Sequence, residues 1–130
     1  MKNHFWLLLT ISLILLYSCK EKIVRYSDSG KEIEMAVGQV LKIELPGDAA
    51  SGSDWRKMAY NDAVLIRKGK SNYMLSNSSS YPGVYYFRFT AINPGKSRIE
   101  MEYGSKYDDQ KAPTRTFGKS GSYDRLFAFY

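Results

Sequence analysis

The plainest pattern along the chain is an alternation of apolar and polar positions. Tyr85, Phe87, Phe89 and Ala91 alternate with Tyr86, Arg88 and Thr90, and Leu41, Ile43 and Leu45 alternate with Lys42 and Glu44. A period of two places one set of side chains on a buried face of a strand and the other on a wet one. Ile99, Met101 and Tyr103 against Arg98, Glu100 and Glu102 repeat the pattern. The turn signal Asn93-Pro94-Gly95 predicts that this segment folds back as the hairpin partner of 85–91. Ile33 and Met35 predict a short strand ahead of a turn at Val37-Gly38-Gln39. Further strands are expected from Trp55 through Met58, over the buried run Ala63-Val64-Leu65-Ile66, and briefly at Tyr73 and Leu75 inside a serine-rich loop. Tyr123 to Tyr130 closes the chain as a strand. Its buried face reads equally as Arg125, Phe127 and Phe129 or as Leu126, Ala128 and Tyr130. About seven short strands with many turn signals predict an all-β sandwich.

One connection differs from an ordinary turn. Leu45-Pro46-Gly47-Asp48-Ala49-Ala50-Ser51-Gly52-Ser53-Asp54-Trp55 starts where an alternating strand ends. Its small residues and glycines leave the backbone accessible, and Pro46 cannot continue a central strand. Trp55 is expected to anchor the far end in the core. The stretch reads either as a plain link between strands or as a loop that presents a binding surface.

The N-terminus carries a different signal. Lys2 is followed by an apolar run from Phe5 to Tyr17, broken only by Thr10 and Ser12. That run is shorter than the roughly 18–20 residues a membrane span needs. It ends in Leu16-Tyr17-Ser18-Cys19, which looks like a bacterial lipobox, with Tyr17 an unusual occupant. Residues 1–18 are therefore read as a lipoprotein signal peptide, Cys19 as the lipid-modified first residue, 19–31 as a solvated tether and 32–130 as the domain. The expected location is the bacterial cell envelope, anchored by lipid to a membrane. The charged Lys20-Glu21-Lys22 favours the outer membrane or cell surface.

This reading narrows the chemistry. The chain has one cysteine, Cys19, and one histidine, His4, so the mature part has neither a free thiol nor an imidazole. Histidine-assisted serine or cysteine catalysis and Cys/His zinc sites are excluded on those grounds. A carboxylate enzyme built on Asp108 and Asp109 is disfavoured, because neighbours on a strand point to opposite faces. No metal or cofactor is expected. The formal charge of +6 is spread with mixed signs, so nucleic acid is not an expected partner.

With the strands placed, the chain from about Ile33 to Tyr130 resembles the chagasin-like inhibitors of papain-type cysteine peptidases. In that family a strand ending in Leu-Pro leads to a loop reading Asn-Pro-Thr-Thr-Gly-(Tyr/Phe)-x-Trp. Here Gly52 and Trp55 keep the spacing and Ser51 keeps a hydroxyl, while Asp48, Ala49 and Ser53 depart from the motif. A second family loop, Gly-x-Gly-Gly, falls on Ser80-Tyr81-Pro82-Gly83, and a third, Arg-Pro-(Trp/Phe), on Ser105-Lys106-Tyr107. The closest stretch, Phe87-Arg88-Phe89-Thr90-Ala91 through Tyr103, is scaffold.

The resemblance implies an immunoglobulin-like β-sandwich that acts as a reversible inhibitor, not an enzyme, plugging the cleft of a papain-like cysteine peptidase. The implied contacts are Asp48, Ala49, Ala50, Ser51 and Gly52, then Tyr81 and Gly83, then Lys106 and Tyr107. A monomer is expected. The stretch 108–122 reads as an insertion exposed to solvent, with Arg115 and Phe117 as its candidate contacts. The competing reading is a non-inhibitory surface lipoprotein that binds a glycan or an envelope protein.

Overall fold

A computed structural model describes residues 21–118 and 127–129. The leader, Cys19 and the side chains of the closing strand lie outside the described residues, so neither lipidation nor the buried face of that strand is tested. The strands are β1 (Lys22–Arg25), β2 (Glu34–Met35), β3 (Val40–Gly47), β4 (Ser53–Ala59), β5 (Leu65–Arg67), β6 (Asn72–Leu75), β7 (Gly83–Ala91), β8 (Gly95–Ser97), β9 (Glu100–Ser105), β10 (Arg115–Phe117) and β11 (Phe127–Phe129). Several are too short to show periodicity, so the sequence suggests fewer.

The two best alternating segments form the centre. β3 and β7 pair antiparallel with Leu41 opposite Phe89, Ile43 opposite Phe87 and Leu45 opposite Tyr85. All six side chains are buried. β1 lies parallel on the other edge of β3, while β5 and β6 share the far edge of β7. A second sheet, ordered β10-β9-β4, adds Trp55, Met101, Tyr103 and Phe117 to the same core. The third, β2-β11-β8, adds Met35. The all-β sandwich expected from the alternation is what these sheets build.

Three expectations are corrected. β9 is not the hairpin partner of β7; it pairs with β4 and β10 in the second sheet. Both edges of β7 are already occupied, and alternation says which face is buried but not which strand lies alongside. Part of the stretch read as tether is β1, where Val24 is fully buried opposite Ile43. A single inward side chain in four residues leaves no readable period. A 3-10 turn (Tyr26–Asp28) follows, closed by the Asp28 carboxylate. That carboxylate accepts from Arg25 N at 3.0 Å and from Lys31 Nζ at 3.1 Å. The Arg25 bond, with Lys31 behind it, holds the Asp28 carboxyl below its usual range.

Lastly, the stretch read as a solvent-exposed insertion is exposed over 108–112 but returns to the core at its end. β10 pairs with β9, and Phe117 is fully buried. Gly118 then turns with φ +74, where any Cβ would collide with the carbonyl of Ile99.

Phe117→Ala is expected to cost about 3–5 kcal/mol, as much as Phe89→Ala, because each empties a filled core site. Denaturant melts of the two variants check this. A loss below about 1 kcal/mol for Phe117→Ala would place β10 outside the cooperative core.

Candidate functional site

The strand register brings three loops to one end of the sandwich. Gly47, the last residue of β3, lies opposite Gly83, the first of β7. Ser53, the first of β4, lies opposite Ser105, the last of β9. The loops 48–52, 76–82 and 106–114 therefore leave from neighbouring strand ends.

The first loop is rigid by construction. Asp48 caps a short 3-10 turn (Ala49–Ser51), its carboxylate accepting from Ala50 N at 3.0 Å. Ser51 Oγ donates to the Asp48 carbonyl at 2.7 Å and accepts from Ser53 N at 3.3 Å. Gly52 ends the turn at φ +77, a left-handed conformation that favours glycine. Ala50 and Ser51 are exposed, Asp48 and Gly52 half-buried, and Ala49 packs partly against the core.

Two aromatic residues pin both ends of this loop. Trp55 is buried, as expected, and its Nε1 donates to the Pro46 carbonyl at 3.0 Å, closing the loop across its neck. Tyr103 packs against Trp55 with ring centroids 5.3 Å apart. Its hydroxyl accepts from Asp48 N at 2.8 Å and donates to Asp48 O at 3.3 Å. Gly47 beneath is required, since a Cβ there would lie 2.6 Å from Tyr85 and 3.1 Å from Tyr103.

The third loop is fastened to the first. Lys106 donates through its backbone N to Gly52 O at 2.9 Å and through Nζ to Ala49 O at 3.2 Å. Tyr107 is 87% exposed, yet its ring lies 3.4 Å from where a Gly52 Cβ would stand. Arg56 gathers the rest of this loop, with Nη1 donating to the carbonyls of Ser105 and Asp108, each at 2.7 Å. Its Nη2 donates to the carbonyl of Lys111. The guanidinium crosses Gly104, where a Cβ would sit 2.9 Å away.

The second loop is held from below. Gly83 is buried, and the Tyr73 ring occupies the space a side chain would take. Tyr73 packs against Tyr85 in a tilted pair with ring centroids 4.8 Å apart. The loop carries serine turns at Ser76 and Ser78, and Ser76 N donates to Pro82 O at 2.9 Å. Half-buried Tyr81 faces a cleft shared with Asp48, Ser51, Ser80 and Arg115. A second cleft runs between the first and third loops, bordered by Gly52, Ser105, Tyr107 and Lys111.

The structure thus brings Asp48, Ala49, Ala50, Ser51, Gly52, Tyr81, Lys106 and Tyr107 to one end, and places Gly83 beneath them in β7. Tyr103 and Arg56 were not foreseen. Alternation identified Tyr103 as inward-facing but gave no sign of the work of its hydroxyl. Burial pushes the Tyr85 phenol from its usual 10 up to about 12, with Asp54, Tyr103 and Tyr73 adding to the rise. The folded state favours the neutral form, so this stabilisation is complete below pH 10 and is lost as pH rises through about 12. Among the described residues no group of three His, Cys, Asp or Glu is placed to hold a metal.

Tyr103→Phe is expected to cost about 1 kcal/mol of stability, because Asp48 N–H loses its acceptor. Native-state hydrogen exchange should show faster exchange at Asp48 while Trp55 stays buried. Unchanged protection at Asp48 would mean that the hydroxyl does not hold the loop.

Comparison with known proteins bears on the fold and the family. The family described as chagasin family peptidase inhibitor I42 matches residues 34–119, more than half of the chain. The crystal structure of the cysteine protease inhibitor EhICP2 from Entamoeba histolytica superposes with a TM-score of 0.66 at 13% identity, over 84% of this chain and 93% of that one. The solution structure of Amebosin gives a TM-score of 0.55 at 18% identity, over 85% and 94%. No curated protein sequence matches the chain. These likenesses show the all-β, immunoglobulin-like fold, and on the match to its sequence the chain belongs to the chagasin family of peptidase inhibitors.

Proposed function

We propose that the domain reversibly inhibits papain-like cysteine peptidases by seating its first loop in the substrate cleft. The observation that carries this reading is the 48–52 loop, tied at both ends by Trp55 and Tyr103 and flanked by Tyr81 and Tyr107. The fold-related protein from Entamoeba histolytica, described as a cysteine protease inhibitor, supports the choice of target class.

The mechanism is blockade. Ala50 and Ser51 form an exposed tip whose small side chains let the backbone approach a catalytic thiol closely. Ser51 Oγ is turned back into the loop, so its part is to hold the tip in shape. A loop already fixed by hydrogen bonds loses little entropy on docking. Tyr107, almost wholly exposed beside Gly52, supplies an aromatic contact of the kind that dominates interfaces. Lys106 and Asp48 act by fixing the first loop, and Gly83 by making room for Tyr73 below the second. At the other end of the chain, the lipobox-like Leu16-Tyr17-Ser18-Cys19 supports attachment to a membrane of the cell envelope through lipid on Cys19.

Two experiments test these readings. Tyr107→Ala should weaken inhibition by about 2 kcal/mol, near thirtyfold, with an unchanged melting curve. Gly52→Glu should weaken inhibition at least about tenfold and also cost about 1–2 kcal/mol of stability, since its φ is left-handed. Gly52→Asn tolerates that backbone, and so separates bulk from strain. Wild-type protein should survive long incubation with active peptidase intact. Digestion, or no binding at high micromolar concentration, sinks the inhibitor reading in favour of a surface module with another ligand.

The second experiment concerns the anchor. Cys19→Ala should yield unprocessed or soluble protein, because each buried CH₂ of the lipid contributes about 0.8 kcal/mol of membrane affinity. A processed mutant still in the membrane fraction would refute the anchor.

A further inference from the structure

We propose that Arg115 is the receptor for a carboxylate of the bound peptidase, an Asp or Glu at the rim of its cleft, and so sets which peptidases the domain prefers. This inference rests on the inhibitor reading above and extends it to a residue outside the three loops.

Arg115 opens β10, where the chain returns from the third loop. Its position is fixed by its neighbour, since Thr114 donates to the Tyr103 carbonyl from N at 2.9 Å and from Oγ1 at 3.3 Å. The Arg115 guanidinium is centred 5.8 Å from the Tyr103 ring centroid, a cation–π contact that orients it. From there it borders the cleft between the first and second loops and also the adjoining groove walled by Arg25, Tyr26, Glu44 and Val84.

The nearby acids are already engaged. The Asp48 carboxylate caps its own turn at Ala50 N. Glu44 pairs with Arg25 at 3.4 Å and Lys42 at 3.3 Å. Arg25, Arg56, Arg88 and Arg98 each face a carboxylate. Arg115 meets none among the described residues. Arg67 also lacks one, but it lies on β5 opposite Phe89, away from the loops. Among the described residues, Arg115 is therefore the arginine that combines an uncommitted guanidinium with a place at the binding end.

A guanidinium presents a planar fork of donors that matches a carboxylate in two parallel hydrogen bonds. Resting on a ring, it gives up little freedom when it forms them. Tyr81 and Ser80 line the same cleft, and their hydroxyls can complete the shell around an anion. A charge at this rim is expected to select partners and speed their approach more than to add bulk affinity.

The test compares Arg115→Met, Arg115→Lys and Tyr107→Ala with wild type. Inhibition constants are measured against a panel of papain-like peptidases of differing surface charge, at about 0.05 M and 0.5 M salt. Arg115→Met should lose at least about tenfold against the peptidases that wild type inhibits best and little against the weakest. It should also flatten the salt dependence. Arg115→Lys should fall between the two and confirm that the fold persists. Tyr107→Ala should weaken inhibition across the panel with the salt dependence intact. An equal loss across the panel for Arg115→Met with unaltered salt dependence, or no loss at all, overturns the proposal while leaving the inhibitor reading standing. If wild type inhibits no member of the panel, the inhibitor reading fails and this inference falls with it.

Discussion

The binding end of this domain depends on what one ring holds. Tyr103 packs against Trp55, grips both backbone groups of Asp48 through its hydroxyl, takes Thr114 on its own carbonyl and carries the Arg115 guanidinium. The neck of the first loop, the return of the third and the guanidinium of Arg115 all refer to the same side chain. Buried and attached to a central strand, it transmits the rigidity of the core to segments that have little core of their own. Close packing makes such a point stiff, because interiors have few voids into which a neighbour can relax.

The loops differ in how they use that support. The first is a short turn braced from inside by Asp48 and Ser51, and so needs few contacts from elsewhere. The third is longer and has no regular structure between Ser105 and Arg115, so Arg56 collects two of its carbonyls and that of Ser105 at its start. An arginine fulfils this role better than a lysine, since its fork reaches several acceptors at fixed angles. Gly104 is the geometric condition for that crossing. The second loop is left most to itself, with serine turns above a tyrosine pair.

The parts legible in the sequence follow from this division. β3 and β7 were readable because each offers four or five inward positions in succession, enough for period two to stand out. β1 and β10 were not, because each contributes one fully buried side chain, Val24 or Phe117, among exposed or half-exposed neighbours. The pairing of β9 was misread since alternation carries no information about lateral neighbours once a strand has two full edges. At the site, glycine and tryptophan spacing located the first loop and the family resemblance located the others. The residues that fix those loops stayed hidden. A buried hydroxyl and a guanidinium that binds main-chain carbonyls leave no spacing signature, because their acceptors are backbone atoms that every residue has.

The parallel pairing of β1 with β3 also puts the entry of the chain at the end of the sandwich opposite the loops. Lys22 lies level with Leu41, and from there β3 runs to Gly47 at the loop end, roughly 20 Å further along. With the proposed lipid on Cys19, the chain could reach at most about 10 Å from the bilayer to that entry point. So short a leash would keep the domain close to the lipid headgroups, with its entry end towards them and its three loops directed outward. A peptidase would then meet the loops from the aqueous side, free in solution or carried by another body, and one embedded alongside in the same membrane would face the wrong end of the sandwich.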